Sequence, residues 1–92
     1  MIVTGIKCNT CGYGIFSRSR HDFRWCNCKE HGCAIDGGFD YMKVLAPTTG
    51  YEIIRMNIKG EREDIHFDWA KGRDRMGKYS PKQLLEVIVT ET

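Results

Sequence analysis

Proline is scarce in this chain, two residues in 92, and no repeat or low-complexity tract interrupts it. A proline-rich or otherwise unstructured linker is therefore excluded, and the length is that of one domain. No apolar run approaches the roughly 20 residues that cross a bilayer, so no membrane partner is expected. The start, Met1-Ile-Val-Thr-Gly-Ile, lacks the basic residues and the long apolar stretch of an export signal. Without export a disulfide framework is not expected, and the odd count of five cysteines argues against one as well. The expected compartment is the cytoplasm. No His-x-Glu pair or other hydrolytic motif is present, which leans the expectation away from an enzyme.

What the chain does have is a concentration of thiols. All five cysteines fall in the first third, as Cys8-Asn-Thr-Cys11-Gly12, Cys26-Asn-Cys28 and Cys33. A Cys-x-x-Cys-Gly turn aims two sulfurs at one centre, and its glycine takes the positive φ that turns backbone N–H groups toward the thiolates. The residues between Cys11 and Cys26 leave room for a hairpin that returns the chain to the same ion. Cys8, Cys11, Cys26 and Cys28 are the expected Zn²⁺ ligands, with His31 or Cys33 as alternates for Cys28. Four protein ligands would close a tetrahedral site to water and make it structural. A domain of this length stands near the size at which an apolar core alone is marginal, so a bound ion has work to do.

Charge is uneven. Residues 1–35 carry five Lys/Arg against two Asp/Glu, and residues 36–92 carry nine against ten. Four thiolates around a divalent ion subtract two charges from the basic half, which leaves too little to predict nucleic-acid binding from charge alone.

Residues 2–7 read as a strand entering the first cysteine turn, residues 13–17 as a strand leaving it, and Phe23-Arg24-Trp25 as the return to the second cysteine pair. Asp36-Gly37-Gly38 is a tight-turn signal. Residues 41–45 and 51–56 flank Pro47-Thr48-Thr49-Gly50 and predict a hairpin. Ile65 and Trp69, four apart, predict an amphipathic helix from Glu61 to about Arg75, with Phe67 off its stripe. Ser80-Pro81-Lys82-Gln83 carries a capping box with proline at the first helical position. The β-branched run Val87-Ile88-Val89-Thr90 predicts a last strand. The expected fold is α+β: a zinc β-ribbon (1–35) joined to an antiparallel hairpin (36–59), with one or two helices on one face and a C-terminal strand (60–92). A hairpin edge and a terminal strand leave room for a second copy of the chain, a homo-oligomer.

The words Arg18-Ser-Arg-His-Asp-Phe-Arg-Trp-Cys-Asn-Cys28 and Ala34-Ile-Asp-Gly-Gly-Phe-Asp-Tyr41 resemble a family of small phage and bacterial proteins. Members of that family open with a Cys-x-x-Cys turn after an Ile-Lys pair, as at Ile6-Lys7 and Cys8 here. The resemblance covers about residues 2–42, and beyond it only an Asp68-Trp69 pair in a helix is similar. It implies a phage setting, hence a host cytoplasm, and a four-cysteine site; it implies no activity. Lys29-Glu-His-Gly-Cys33 departs from the pattern as a small insertion with an extra cysteine.

Two further clusters carry candidate chemistry. Arg18, Arg20, Arg24 and Lys29 interleave with Phe16, Phe23 and Trp25, a pattern that can hold phosphates and stack bases. Arg24 lies on the opposite strand face from Phe23 and Trp25, so the aromatics serve equally well as core. His21, Asp22, Asp36 and Asp40 sit on neighbouring turns, where they could hold a second metal or move protons; each also has an ordinary role as a turn or capping residue. The expectation is a zinc-stabilised phage accessory module. It presents the basic patch to a phosphate-bearing ligand (a nucleic acid or a nucleotide signal) or to an acidic host protein, in a counter-defence role. The alternative is a small Mg²⁺- or Mn²⁺-dependent enzyme on a nucleotide or phosphodiester, with the His/Asp cluster as its site.

Overall fold

A computed structural model of the chain describes residues 1–19, 22–28, 32–38, 42–46, 50–72 and 76–89. The fold is α+β, with two antiparallel sheets and two helices. The strands are β1 (Ile2–Cys8), β2 (Gly14–Ile15), β3 (Arg24–Trp25), β4 (Ala34–Asp36), β5 (Lys43–Leu45) and β6 (Tyr51–Asn57). Helix α1 (Arg62–Ala70), strand β7 (Lys78–Tyr79) and helix α2 (Pro81–Val87) complete the order. The first sheet runs β6-β1-β2-β7 and the second β3-β4-β5.

The expected 41–45/51–56 hairpin does not form. Both segments are extended, but β5 pairs with β4, from Ala34↔Leu45 to Asp36↔Lys43, while β6 pairs with β1 from Ile2↔Asn57 to Cys8↔Tyr51. Turn residues mark where a chain reverses, and partner choice follows from the ladder available. β1 offers seven consecutive positions and β5 only three. The Gly37-Gly38 turn, with φ of 94° and 67°, starts the connection that returns β5 to β4. Tyr41 and Pro47–Thr49 lie outside the described residues.

The first core cluster lies between the first sheet and both helices: Val3, Phe16, Met56, Ile58, Ile65 and Leu84. Gly14 admits α2 to the sheet, since a Cβ there would meet Leu84 Cδ1 at 2.6 Å. The α2 start is capped as expected: Gln83 N donates to Ser80 Oγ (3.2 Å) and Ser80 N to Gln83 Oε1 (3.0 Å). The predicted last strand shrinks to one bridge, Met56↔Ile88, plus Val89 N donating to Arg55 O at 2.8 Å. Val87 belongs to α2, because a capped helix carries its propensity past one β-branched residue. Helix α1 stops before the predicted Arg75. Gly72 takes φ 68° and donates to Trp69 O at 3.1 Å, which closes the last turn. Ile65 is buried as the stripe predicts, while Phe67 is exposed.

The second core cluster joins the two sheets and is built largely from sulfur: Cys8, Cys26 and Cys33 with Ile6, Ile15 and Ile35, and Cys11 and Cys28 against them.

Candidate metal centre and the buried charge cluster

The first cysteine turn closes on hydrogen bonds from Gly12 N to Cys8 O (2.9 Å) and from Cys8 N to Tyr13 O (3.0 Å). Gly12 holds φ 76°, the left-handed conformation expected of it. The second pair follows β3. Cys26 N donates to Cys33 O (2.8 Å), and Cys33 N returns a hydrogen bond to Cys26 Sγ (3.2 Å). The chain passes so close here that a Cβ on Gly32 would lie 2.5 Å from Cys26 Sγ and 2.9 Å from Cys28 Cβ. Only glycine fits there.

The sulfurs of Cys8, Cys11, Cys26 and Cys28 all lie within 4.8 Å of one another, with Cys8 and Cys28 at 3.7 Å. These four can hold a metal ion, and they are the set read from spacing. Cys8 ends β1 and Cys11 lies in the turn after it, while Cys26 and Cys28 follow β3 of the second sheet. Cys33 is fully buried, but its sulfur faces Gly50 O at 3.7 Å, and it stands outside the converging four. What it supplies is the N–H on Cys26. His31 lies outside the described residues.

The thiols are unequal. Burial pushes the Cys8 thiol up, but N–H groups of Cys11 and Thr10 outweigh it and bring Cys8 down to about 6. Burial and the neighbouring sulfurs push Cys28 up to about 12, and burial raises Cys26 as well. Cys8 thus gives up its proton before Cys26 and Cys28, and an ion that binds those two must displace their protons.

The basic patch divides on folding. Arg18 and Arg24 are buried, 7% and 9% exposed, while Arg20 and Lys29 lie outside the described residues. Arg18 Nε donates to Asp22 Oδ2 at 2.8 Å, Arg18 N to the same oxygen at 2.9 Å, and Arg18 Nη1 to Asp68 Oδ2. Asp68, 4% exposed, also accepts from Met76 N at 3.0 Å. Arg24 Nε stands 3.7 Å from Asp22 Oδ2, and Gly77 packs against its guanidinium. Burial works against the Asp22 charge, but hydrogen bonds from the Arg18 side chain and backbone, with the charges of Arg24 and Arg18, hold its carboxyl below the usual range. Tyr79 is raised by burial and then by the charge of Asp68. Two arginines and two aspartates therefore neutralise one another beneath β3 and tie the β2–β3 loop to α1.

The face assignment of β3 is the reverse of a core reading for its aromatics. Arg24 turns inward, and Phe23 and Trp25 are 46% and 48% exposed. Of the His/Asp cluster, Asp22 is committed to Arg18, and Asp36 lies on β4 with Oδ1 buried and without a hydrogen-bond partner. His21 and Asp40 lie outside the described residues. Among the described residues, the four cysteines are the one group of three or more metal-ligating side chains that converges. Sequence reasoning missed Asp68 as a partner. Its signal was an acid three residues after Ile65, on the apolar stripe of α1, where a carboxylate needs a buried cation.

Residues 1–46 match the family described as Domain of unknown function (DUF7695). The chain belongs to that family. The matched segment contains both cysteine pairs, Arg18, Asp22 and all of the second sheet, whereas β6, β7 and both helices follow it. No curated protein and no solved structure matches the chain. None of the helices described is long and apolar enough to cross a membrane.

Proposed function

We propose that the chain is a zinc-stabilised, non-catalytic binding module. The observation that carries this reading is the convergence of four sulfurs at the junction of the two sheets. Tetrahedral zinc with Zn–S bonds of about 2.3 Å separates its sulfurs by about 3.8 Å. Cys8 and Cys28 stand at 3.7 Å, and all four sulfurs lie within 4.8 Å of one another. Soft thiolates favour zinc over oxygen-seeking ions such as Mg²⁺. A site filled by four protein sulfurs has no position for a reacting water, which makes the ion a structural one.

The partner in this reading bears phosphate; its support is the family setting, since Arg18 and Arg24 are buried against Asp22 and Asp68. The phage setting implied by the family resemblance would place the module in a host cytoplasm, against a nucleic acid or a nucleotide signal of host defence. Asp22, neutralised by Arg18, is a poor general base, which weighs against the enzymatic alternative. Native mass spectrometry against the denatured mass tests the proposal. We expect an excess of one zinc, lost on denaturation and absent from Cys28→Ser. Folded protein without bound metal would refute it.

A further inference from the structure

The outer face of the second sheet is where this chain departs most from an inert scaffold. We infer that Phe23 and Trp25 form a stacking platform for single-stranded nucleic acid, with lysines at its two margins; the inference rests on the binding-module reading above. The two rings meet edge to face, with centroids 5.5 Å apart and planes at 68°. Residues two apart on an extended chain share a face. Both rings stay about half exposed although the buried Arg24 between them has taken the inner face. A small domain that puts arginine inside and two aromatics outside has given up apolar burial of its largest side chains. The rings are then held ready for a partner.

The surroundings indicate which partner. The register Trp25↔Ala34↔Leu45 sets Leu45, 54% exposed, across the sheet from Trp25. Lys43, exposed and two residues before Leu45, shares that face at one margin, directly across β4–β5 from Asp36. At the other end, just past Trp25, Lys78 Nζ donates to Asn27 Oδ1 at 3.4 Å and lies 5.5 Å from the centre of the Tyr13 ring. Aromatic rings bordered by ammonium groups complement bases joined by phosphates. The support is rigid. Trp25 adjoins the metal ligand Cys26, and Arg24 is clamped from below by Asp22 and Gly77. Stacking of this kind does not read sequence, because every base offers a face to the rings.

The test is fluorescence anisotropy of the full, metal-loaded chain with a labelled single-stranded DNA of mixed sequence, about 12 nucleotides long. Phe23→Ala and Trp25→Ala should each weaken binding roughly 5- to 150-fold, the loss expected for one stacked base. Trp25→Tyr should keep most of the affinity, and Phe67→Ala, an exposed ring on α1, all of it. Lys78→Ala should reduce the salt dependence by about 0.7 in log–log slope, one phosphate contact. Folded protein that holds its metal but binds no oligonucleotide overturns the inference and leaves the face to a protein partner. Unchanged binding by Trp25→Ala, with its melting temperature intact, overturns it too. Metal content measured on the same sample separates these failures from that of the module reading, which falls if the protein folds without metal.

Discussion

Replacing Asp68 by alanine removes the acceptor for Arg18 Nη1 and for Met76 N in one step. The guanidinium left behind is 7% exposed, so water reaches it poorly. Breaking one side of such a buried pair costs roughly 3–5 kcal/mol, mostly because the remaining charge stays desolvated. A domain has roughly 5–15 kcal/mol in all, so Asp68→Ala should sit near the edge of folding. Each kcal/mol moves the melting temperature of a 60–100-residue domain by roughly 4–8 °C, which puts the expected drop at roughly 12–40 °C. Thermal unfolding followed by circular dichroism, with metal-loaded protein at neutral pH, measures it. Asp68→Asn keeps an oxygen for Met76 N but not the charge, and should fall between wild type and alanine. A drop under about 4 °C for Asp68→Ala, worth no more than roughly 1 kcal/mol, would refute the reasoning, since Asp22 alone would then suffice for Arg18.

Acid should weaken this cluster with a definite sign. The folded carboxyl of Asp22 lies below the usual 3.8 of a free aspartate, so its contribution is full above that pH and is lost as pH falls through the lower, folded value. In urea titrations the stability gap between wild type and Asp22→Asn should therefore be widest above pH 3.8 and close below it; a gap that widens with acid contradicts the assignment. Ser80→Ala removes the oxygen that caps Gln83 N and should cost about 1 kcal/mol, seen as a melting shift of roughly 4–8 °C with metal binding unchanged. Cys33→Ser should retain one zinc per chain in native mass spectrometry, while Cys28→Ser should not. Equal loss of metal from both variants would place Cys33 among the ligands.

Local signals were legible in the sequence and long-range ones were not. The Cys-x-x-Cys-Gly turn, the Gly37-Gly38 turn and the Ser80–Gln83 capping box each need only a few adjacent residues, and each stands where its residue types place it. The four converging sulfurs were legible for the same reason, as two short-range pairs. Strand partners were not, because Pro47–Gly50 announces a reversal without saying that β6 returns to β1 and β5 to β4. The alternation of Phe23, Arg24 and Trp25 was legible, but not which face is buried: Arg24 goes inside beside Asp22, whose partner Arg18 is held in turn by Asp68 on α1. A charge goes inside only when its counter-charge is waiting there, and that fact is tertiary.

The two core clusters differ in kind, and that difference predicts how the protein comes apart. Val3, Phe16, Met56, Ile58, Ile65 and Leu84 are held by apolar burial and need no ion. The cluster between the sheets is rich in thiols, and two of the four converging sulfurs, those of Cys26 and Cys28, hold their protons to higher pH than an ordinary thiol. The second sheet has strands of only two or three residues, too short to persist on ladder hydrogen bonds alone. Chelation should therefore raise amide exchange first at Arg24–Trp25, Ala34–Asp36 and Lys43–Leu45, with the seven-pair β1–β6 ladder protected longer. Hydrogen exchange followed by mass spectrometry, before and after chelation, reads the order directly. Simultaneous loss of protection in both sheets would mean that the ion holds the whole domain, and that the apolar cluster cannot stand without it.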